Sequence, residues 1–189
     1  GNLELAEDVK KGDLQVNAME IEIDEECTHI IARRQPTASD LRLVMAVIKT
    51  ITDLERMGDQ AEKVARMAIH LADMERPTNQ YSELEHLREQ VRKMLRGALD
   101  AFARMYAEAA ASVAQQDLKV DSEYDAIMRQ MITFMMEVPR NVRRTLDTMW
   151  SARALERIGD HARNICEYVI YLVKGKDVRH ISLEELSKE

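Results

Sequence analysis

A chain of 189 residues with 46% hydrophobic and 32% charged side chains buries a sizeable core without disulfide or metal staples. Its net charge of −7 and the lack of any long basic run exclude an ordinary nucleic-acid-binding face, and favour cations or basic protein surfaces as partners. Only six glycines and three prolines interrupt a composition rich in helix formers, so the expected fold is all-α.

With aromatics at 4%, the core must be built from aliphatic residues and twelve methionines, which serve as adaptable packing. Cys27 and Cys166 stand alone, without a C-x-x-C or Cys/His zinc spacing, as in a reducing compartment. The apolar run from Tyr168 to Val173 is far too short to span a bilayer, and no signal-peptide pattern is visible. A soluble, cytoplasmic protein is expected.

Residues 3 to 10 read as the last turns of a helix stopped at Gly12, with Lys10 and Lys11 beside it. Asp13 then opens a second helix carrying Leu14, Val16, Met19, Ile23, Cys27, Ile30 and Ile31 as far as Arg34. Gln35-Pro36 ends it, and Thr37-x-x-Asp40 offers a capping-box variant for the next helix. That helix, from about Ser39 to Met74, has an apolar stripe from Leu41 through Leu54 and Gly58 to Ala72 in steps of three and four. Arg76-Pro77-Thr78-Asn79 stops it and is the best candidate boundary, dividing residues 1–76 from 77–189.

The second part repeats the plan. One helix is expected from Tyr81 to Ser112, a second from Asp117 to Pro139, and a third from Arg140 to Lys174 with Gly175 as its stop. Asp117-Leu118-Lys119-Val120-Asp121 mirrors Asp13-Leu14-Gln15-Val16-Asn17. The architecture is therefore two tandem antiparallel three-helix bundles. The first helix of the first bundle is largely missing, because only about ten residues precede Asp13.

The strongest signal is a doubled stretch. Leu54-Glu55-Arg56-Met57-Gly58-Asp59-Gln60-Ala61 recurs as Leu155-Glu156-Arg157-Ile158-Gly159-Asp160-His161-Ala162, identical at six of eight positions. Glu55 and Asp59 are i, i+4 neighbours on one helix face, as are Glu156 and Asp160. With Gly58 at the centre of the stripe, Glu55 lies ~60° and Asp59 ~100° around the helix, at the margin of the packed face. A helix-interior glycine costs roughly 1 kcal/mol against alanine, so a close approach by a neighbouring backbone or a ligand is expected at both copies.

Further acids sit on the preceding helices: Asp121 and Asp125 in the second unit, and Asn17, Glu20 and Asp24 in the first. If these faces meet the motif, each unit has an oxygen-only wall suited to hard cations, iron or manganese. The plainer reading pairs these carboxylates with arginines such as Arg33, Arg34, Arg42, Arg56, Arg153 and Arg157. A ferritin-like di-iron or metal-storage bundle is a further alternative, because Glu26-x-x-His29 and Glu83-x-x-His86 both occur; they are not repeat-equivalent, and surface histidines are expected. No Gly-x-Ser-x-Gly, phosphate-binding Gly-rich loop or His-Glu-x-x-His is present. No enzyme activity is expected.

The two Leu-Glu-Arg-x-Gly-Asp copies, with Arg34-Gln35-Pro36-Thr37-Ala38-Ser39-Asp40-Leu41-Arg42 upstream of the first, resemble the PhoU family of bacterial phosphate-transport accessory proteins. The likeness covers essentially the whole chain and implies two tandem three-helix bundles. It further implies a cytoplasmic negative regulator of the phosphate-starvation response. Such a protein would link the ATPase subunit of the phosphate ABC transporter to a sensor histidine kinase, peripheral to membrane complexes and expected as a homodimer. Some members carry multinuclear iron or zinc clusters on E(D)-x-x-x-D motifs, which correspond here to Glu55, Asp59, Glu156 and Asp160; magnesium or manganese would suit the same oxygen ligands. Aligning Asp13 with Asp117 sets Ile21 opposite Asp125, so the first unit departs from the second there.

Overall fold

The computed structural model describes residues 3–72, 74, 81–175 and 178. Six α-helices carry the fold: α1 (Leu3–Arg34), α2 (Ala38–Ala72), α3 (Ser82–Arg104), α4 (Ala107–Ala114), α5 (Asp117–Glu137) and α6 (Val142–Lys174). A 3-10 turn at Pro139–Asn141 leads into α6. The expected all-α architecture of tandem antiparallel bundles is observed. The boundary expected at Arg76–Pro77 lies outside the described residues.

Helix α6 is the axis of the molecule, packed on by α2, α3, α4 and α5. Small side chains make this possible: Ala152, Ala154, Gly159 and Ala162 are buried and let neighbouring helices approach closely. Three polar residues share that buried face without leaving orphaned hydroxyls. Thr145, Thr148 and Ser151 each donate to the carbonyl four residues back, those of Asn141, Arg144 and Asp147, at 2.9–3.0 Å. Around α6 gather Leu87, Val91 and Met94 of α3, Ala110 and Val113 of α4, and Val120, Ile127 and Met131 of α5.

Two expected helix ends are corrected. Gly12 does not stop a helix: α1 runs unbroken from Leu3 to Arg34, and Gly12 lies inside it. The lysine-lysine-glycine pattern is only a propensity signal, and flanking helix formers override one glycine. Conversely, the helix expected from Tyr81 to Ser112 is two. Met105 takes the left-handed conformation (φ 52°) and the Tyr106 N–H donates back to the Ala101 carbonyl at 3.0 Å. This is the hydrogen-bond pattern that usually has glycine at the stop. The break lets α4 fold back on α3, burying Ala107, Ala110, Val113 and Ala114. Between α1 and α2, the Asp40 N–H bonds the Thr37 carbonyl at 3.1 Å, in place of the reciprocal side-chain caps that a capping box would supply. Gly175 (φ +70°) ends α6 as expected.

The first half is thinner. Helix α1 lies chiefly along α2, burying only Ala6 and Cys27, while Leu14 (70% exposed), Met19 and Ile21 face outward. A cavity of about 390 Å³ opens beside Val16, Met19, Ile23, Leu54, Met57 and Gly58. The repeat-equivalent residues Val120, Ile127, Leu155, Ile158 and Gly159 are buried in the core that α3 completes. Among the described residues, no helix fills the corresponding place in the first half.

Glycine environments give a direct check of this fold. A Cβ at Gly97 would lie 2.7 Å from Val113 Cγ2, whereas one at Gly12 would meet nothing within 4 Å. Gly97→Ala is expected to destabilise by about 1–3 kcal/mol through the α3–α4 contact. Gly12→Ala is expected to stabilise by up to about 1 kcal/mol, as for a helix interior. Urea denaturation of the two variants reads both signs; a destabilised Gly12→Ala would restore a helix stop there.

Candidate metal centre

The glycine of each motif copy makes room for the facing helix: for Asp13 in the first unit, and for Val120, with Asp117 behind it, in the second. A Cβ at Gly58 would lie 2.8 Å from Asp13 Oδ1. At Gly159 it would lie 3.2 Å from Val120 Cγ1 and 3.7 Å from Asp117 Oδ1. A close approach occurs at the glycine in both units, but the approaching group is a side chain of α1 or α5 and not the backbone or ligand expected from the sequence. Asp13 and Asp117 are equivalent in the repeat, so the two halves use one local design.

In the second unit the acids converge. Asp117, Asp121 and Asp160 each offer a carboxylate oxygen, and these oxygens all lie within 4.8 Å of one another. Asp117 and Asp121 come from successive turns of α5, and Asp160 comes from α6. Glu156 lies one turn before Asp160 and is buried. Asp125, one turn further along α5, is exposed and acts on Asp121 as a like charge.

Electrostatics show the tension in this arrangement. Burial, reinforced by the Asp160 charge and opposed by Arg153, pushes the Glu156 carboxyl up to about 7. Burial likewise pushes Asp117 up to about 6, against the pull of Arg163 and with Asp121 and Asp160 adding to the rise. Asp121 is raised by burial and by Asp160. Two arginines relieve part of the load. Arg153 donates to Glu156 Oε1 at 2.6 Å, and Arg163 donates to Asp117 Oδ2 at 3.2 Å and to Glu167 Oε1 at 3.1 Å. Even so, Asp117 Oδ1 and Glu156 Oε2 are buried with no hydrogen-bond partner. Clustered acids with orphaned buried oxygens are a donor set suited to an oxygen-ligated cation.

The first unit gathers a looser set. Burial raises the Glu55 carboxyl first, and the charges of Asp59, Glu20 and Asp13 raise it further. Glu20 thus joins the motif, as expected from the sequence. Asp24 is exposed and exerts no such pull on Glu55; its charge raises the Cys27 thiol instead. Among the described residues, Asp117, Asp121 and Asp160 are the acids whose carboxylate oxygens lie close enough together to suit one ion, and the first-unit acids form no group of that tightness.

Sequence reasoning missed three participants. Asp117 and Asp13 read only as helix starts, although their equivalence across the repeat was visible and Asp117, Asp121 and Asp125 share an i, i+4 row. Arg163, seven residues after Glu156, had no local signal for its bond to Asp117. The Glu-x-x-His pairs are placed plainly. Glu26, His29, Glu83 and His86 are all exposed, and the His86 ring bonds Glu123 of α5. The Cys166 thiol is fully buried and pushed up to about 12 by burial, so it is held as a neutral thiol.

One of the two positions where the motif copies differ, Gln60 against His161, lies where the halves meet. His161 Nδ1 and Asp53 Oδ1 are 2.7 Å apart, and Asn164 Nδ2 donates to the same oxygen at 3.2 Å. Asp53 is 2% exposed, so this α2–α6 bridge is a buried one. Nearby, the Lys49 ammonium lies 5.6 Å from the Tyr168 ring centroid and 5.9 Å from that of Tyr171.

Doubled helices, paired carboxylate faces and a glycine-spaced approach define a tandem-repeat helical protein with an acidic site in each repeat. Comparison with known proteins then gives the family. The PhoU domain model matches residues 1–68 and 84–169. The chain is 54% identical over 185 residues to the phosphate-specific transport system accessory protein PhoU homolog of Pseudomonas putida, covering 98% of this chain and 72% of that protein. It is 49% identical over 185 residues to the phosphate-specific transport system accessory protein PhoU of Escherichia coli K12, covering 98% and 76%. The crystal structure of PhoU from Pseudomonas aeruginosa superposes with a TM-score of 0.90 at 54% identity, covering 93% of this chain and 84% of that one. The phosphate transport system regulatory protein PhoU from Streptococcus pneumoniae gives 0.85 at 30% identity, covering 94% and 83%. This chain belongs to the PhoU family.

The raised acids set a pH dependence. Folded-state values above the unfolded ones mean that the folded protein holds protons the unfolded chain releases, so stability falls as pH rises through the window. For Glu156 and Asp117 that window runs from about 4 to about 7. The lowered carboxyls of Glu83, Glu85 and Glu89 act at the acid end, where they lose their contribution as they protonate. The metal-free protein is therefore expected to lose stability between pH 5 and pH 7.5 in urea titrations. Glu156→Gln should flatten that dependence and raise the plateau; a wild-type stability that climbs across the window would contradict the assignment.

Proposed function

We propose that this chain is a negative regulator of phosphate uptake and of the phosphate regulon. In this reading it is a cytoplasmic adaptor that couples the ATPase subunit of a phosphate ABC transporter to a phosphate-sensing histidine kinase. The observation that carries it is the doubled motif in its folded setting: two repeat units, each presenting an acidic face built by Leu-Glu-Arg-x-Gly-Asp on one helix and an aspartate-led helix beside it. Family membership supports the reading, because the relatives are named accessory or regulatory proteins of phosphate transport. No helix among the described residues is long and apolar enough to cross a membrane, which fits attachment to a transporter through protein contact.

Within this reading the acidic faces hold cations. Asp117, Asp121 and Asp160 would ligate the ion in the second unit, with the free oxygen of Glu156 available at its edge. Glu55, Asp59, Glu20 and Asp13 would do so more weakly in the first. A bound iron, zinc, manganese or magnesium ion would supply the positive charge that Arg153 and Arg163 provide only in part. Its role would be to stabilise the α5–α6 contact and fix the face that partners meet.

The test is made in cells and in vitro together. In a strain lacking its own copy, Glu156→Ala/Asp160→Ala is expected to lose metal, measured after chelation and reloading, and to derepress a phosphate-starvation reporter at high phosphate. Glu55→Ala/Asp59→Ala should do so more mildly. Unchanged metal content together with unchanged repression in both variants would make the motif structural. Iron oxidase activity depending on Glu26 or His29 would favour the ferritin-like reading instead.

A further inference from the structure

A second polar site lies on the opposite chemistry. Between the C-terminal half of α2 and the N-terminal half of α6 is a cleft of about 410 Å³, lined by Lys63, Arg66 and Met67 on one side and by Trp150, Arg153 and Arg157 on the other. No carboxylate lines it among the described residues, although the protein as a whole carries a net charge of −7. Arg66 is held by Glu62 at 2.7 Å and Arg153 by Glu156 at 2.6 Å. Lys63 and Arg157 make no ion pair within 4 Å among the described residues, although the Arg157 charge also acts on Glu156, so both cations have room to meet an incoming anion. Trp150 stands 64% exposed beside them.

Indole, methionine and arginine together are the composition of the anchoring part of a protein interface rather than of a solvated surface. An exposed tryptophan gains by being covered, while two unpaired cations gain by meeting carboxylates. A small inorganic anion would satisfy the cations and leave the indole and Met67 wet. One occupant satisfies both: a helical protein segment carrying Glu or Asp beside a row of apolar side chains. We infer that the Lys63–Arg157 cleft is a docking surface for an acidic amphipathic helix of a partner protein. The inference rests on the adaptor reading for the existence of such a partner. Its location, between the two repeat units and one turn from Glu156, would let occupancy of the cleft and of the acidic site influence each other through Arg153.

Trp150 is the sole tryptophan of the chain, so its emission reports directly on the cleft. The probe is a synthetic helix-forming peptide with Glu at i, i+4 flanking a row of Leu, with its Gln-for-Glu counterpart as control. The Glu peptide is expected to shift the Trp150 emission to the blue, saturably and more weakly at high salt. Lys63→Glu/Arg66→Glu should weaken binding about tenfold or more, and Lys63→Gln/Arg66→Gln by an intermediate factor. Lys93→Glu/Lys119→Glu, which makes the same charge change away from the cleft, should leave it unaltered. The inference is overturned by any of three results: no shift, an equal shift with the Gln peptide, or binding undiminished in both Lys63/Arg66 variants. An equal shift from inorganic phosphate or single-stranded DNA would make the cleft a general anion site and overturn it too.

Co-purification of the chain with the transporter ATPase and the kinase separates this inference from the reading it rests on. Co-purification that persists in Lys63→Glu/Arg66→Glu, with no peptide binding, removes the cleft and leaves the adaptor. Peptide binding without co-purification keeps the cleft and removes those partners.

Discussion

Four helices close on α6, and a carboxylate carried by that helix cannot remain fully hydrated. This desolvation is the constraint from which the rest follows. Glu156 sits on the crowded side of α6, and α5 comes close at Gly159, where a Cβ would meet Val120 with Asp117 behind it. A cluster of acids in low-dielectric surroundings has three ways to lower its energy: take up protons, recruit arginines or bind a cation. The first two are visible, in the raised Glu156 and Asp117 carboxyls and in the bonds from Arg153 and Arg163. The orphaned oxygens of Asp117 and Glu156 leave a place for the third.

The two repeats share this design but not its strength. In the second unit, α3 and α4 complete the packing, and the acidic cluster is tight. In the first, α1 rests mainly on α2, the equivalent surface opens into a cavity, and the acids around Glu55 are spread further. The same sequence signature therefore has different consequences in the two halves, because burial comes from the helices packed around it. The halves are joined by a bridge that the repeat does not duplicate. Asp53 on α2 meets His161 and Asn164 on α6, and the residue equivalent to Asp53 in the second copy is Ala154.

Much of this was legible in the sequence, for identifiable reasons. Heptad-like stripes and the Pro36 and Pro139 breaks marked the helices, because steps of three and four leave a strong periodic signal. The doubled Glu-x-x-x-Asp with its glycine marked the site, because an identical costly residue at equivalent places demands a shared contact. What stayed hidden was set by tertiary packing. Gly12 carried the local signature of a stop yet sits inside a continuous helix, whereas the stop at Met105 carries no glycine at all. Asp117 looked like a helix start, and only the facing Gly159 reveals it as the centre of the cluster. The Asp53–His161 bridge spans 108 residues of sequence, and no local pattern announces a contact of that range.

The proposal that depends most on this packing is a cation site at Asp117, Asp121 and Asp160. Manganese titration of the metal-free protein, followed by electron paramagnetic resonance, tests it most directly. The account predicts one tighter site that is lost in Asp117→Asn/Asp160→Asn and kept in Glu55→Gln/Asp59→Gln. Manganese binding that survives Asp117→Asn/Asp160→Asn unchanged, or that never rises above nonspecific association in the wild type, would contradict it.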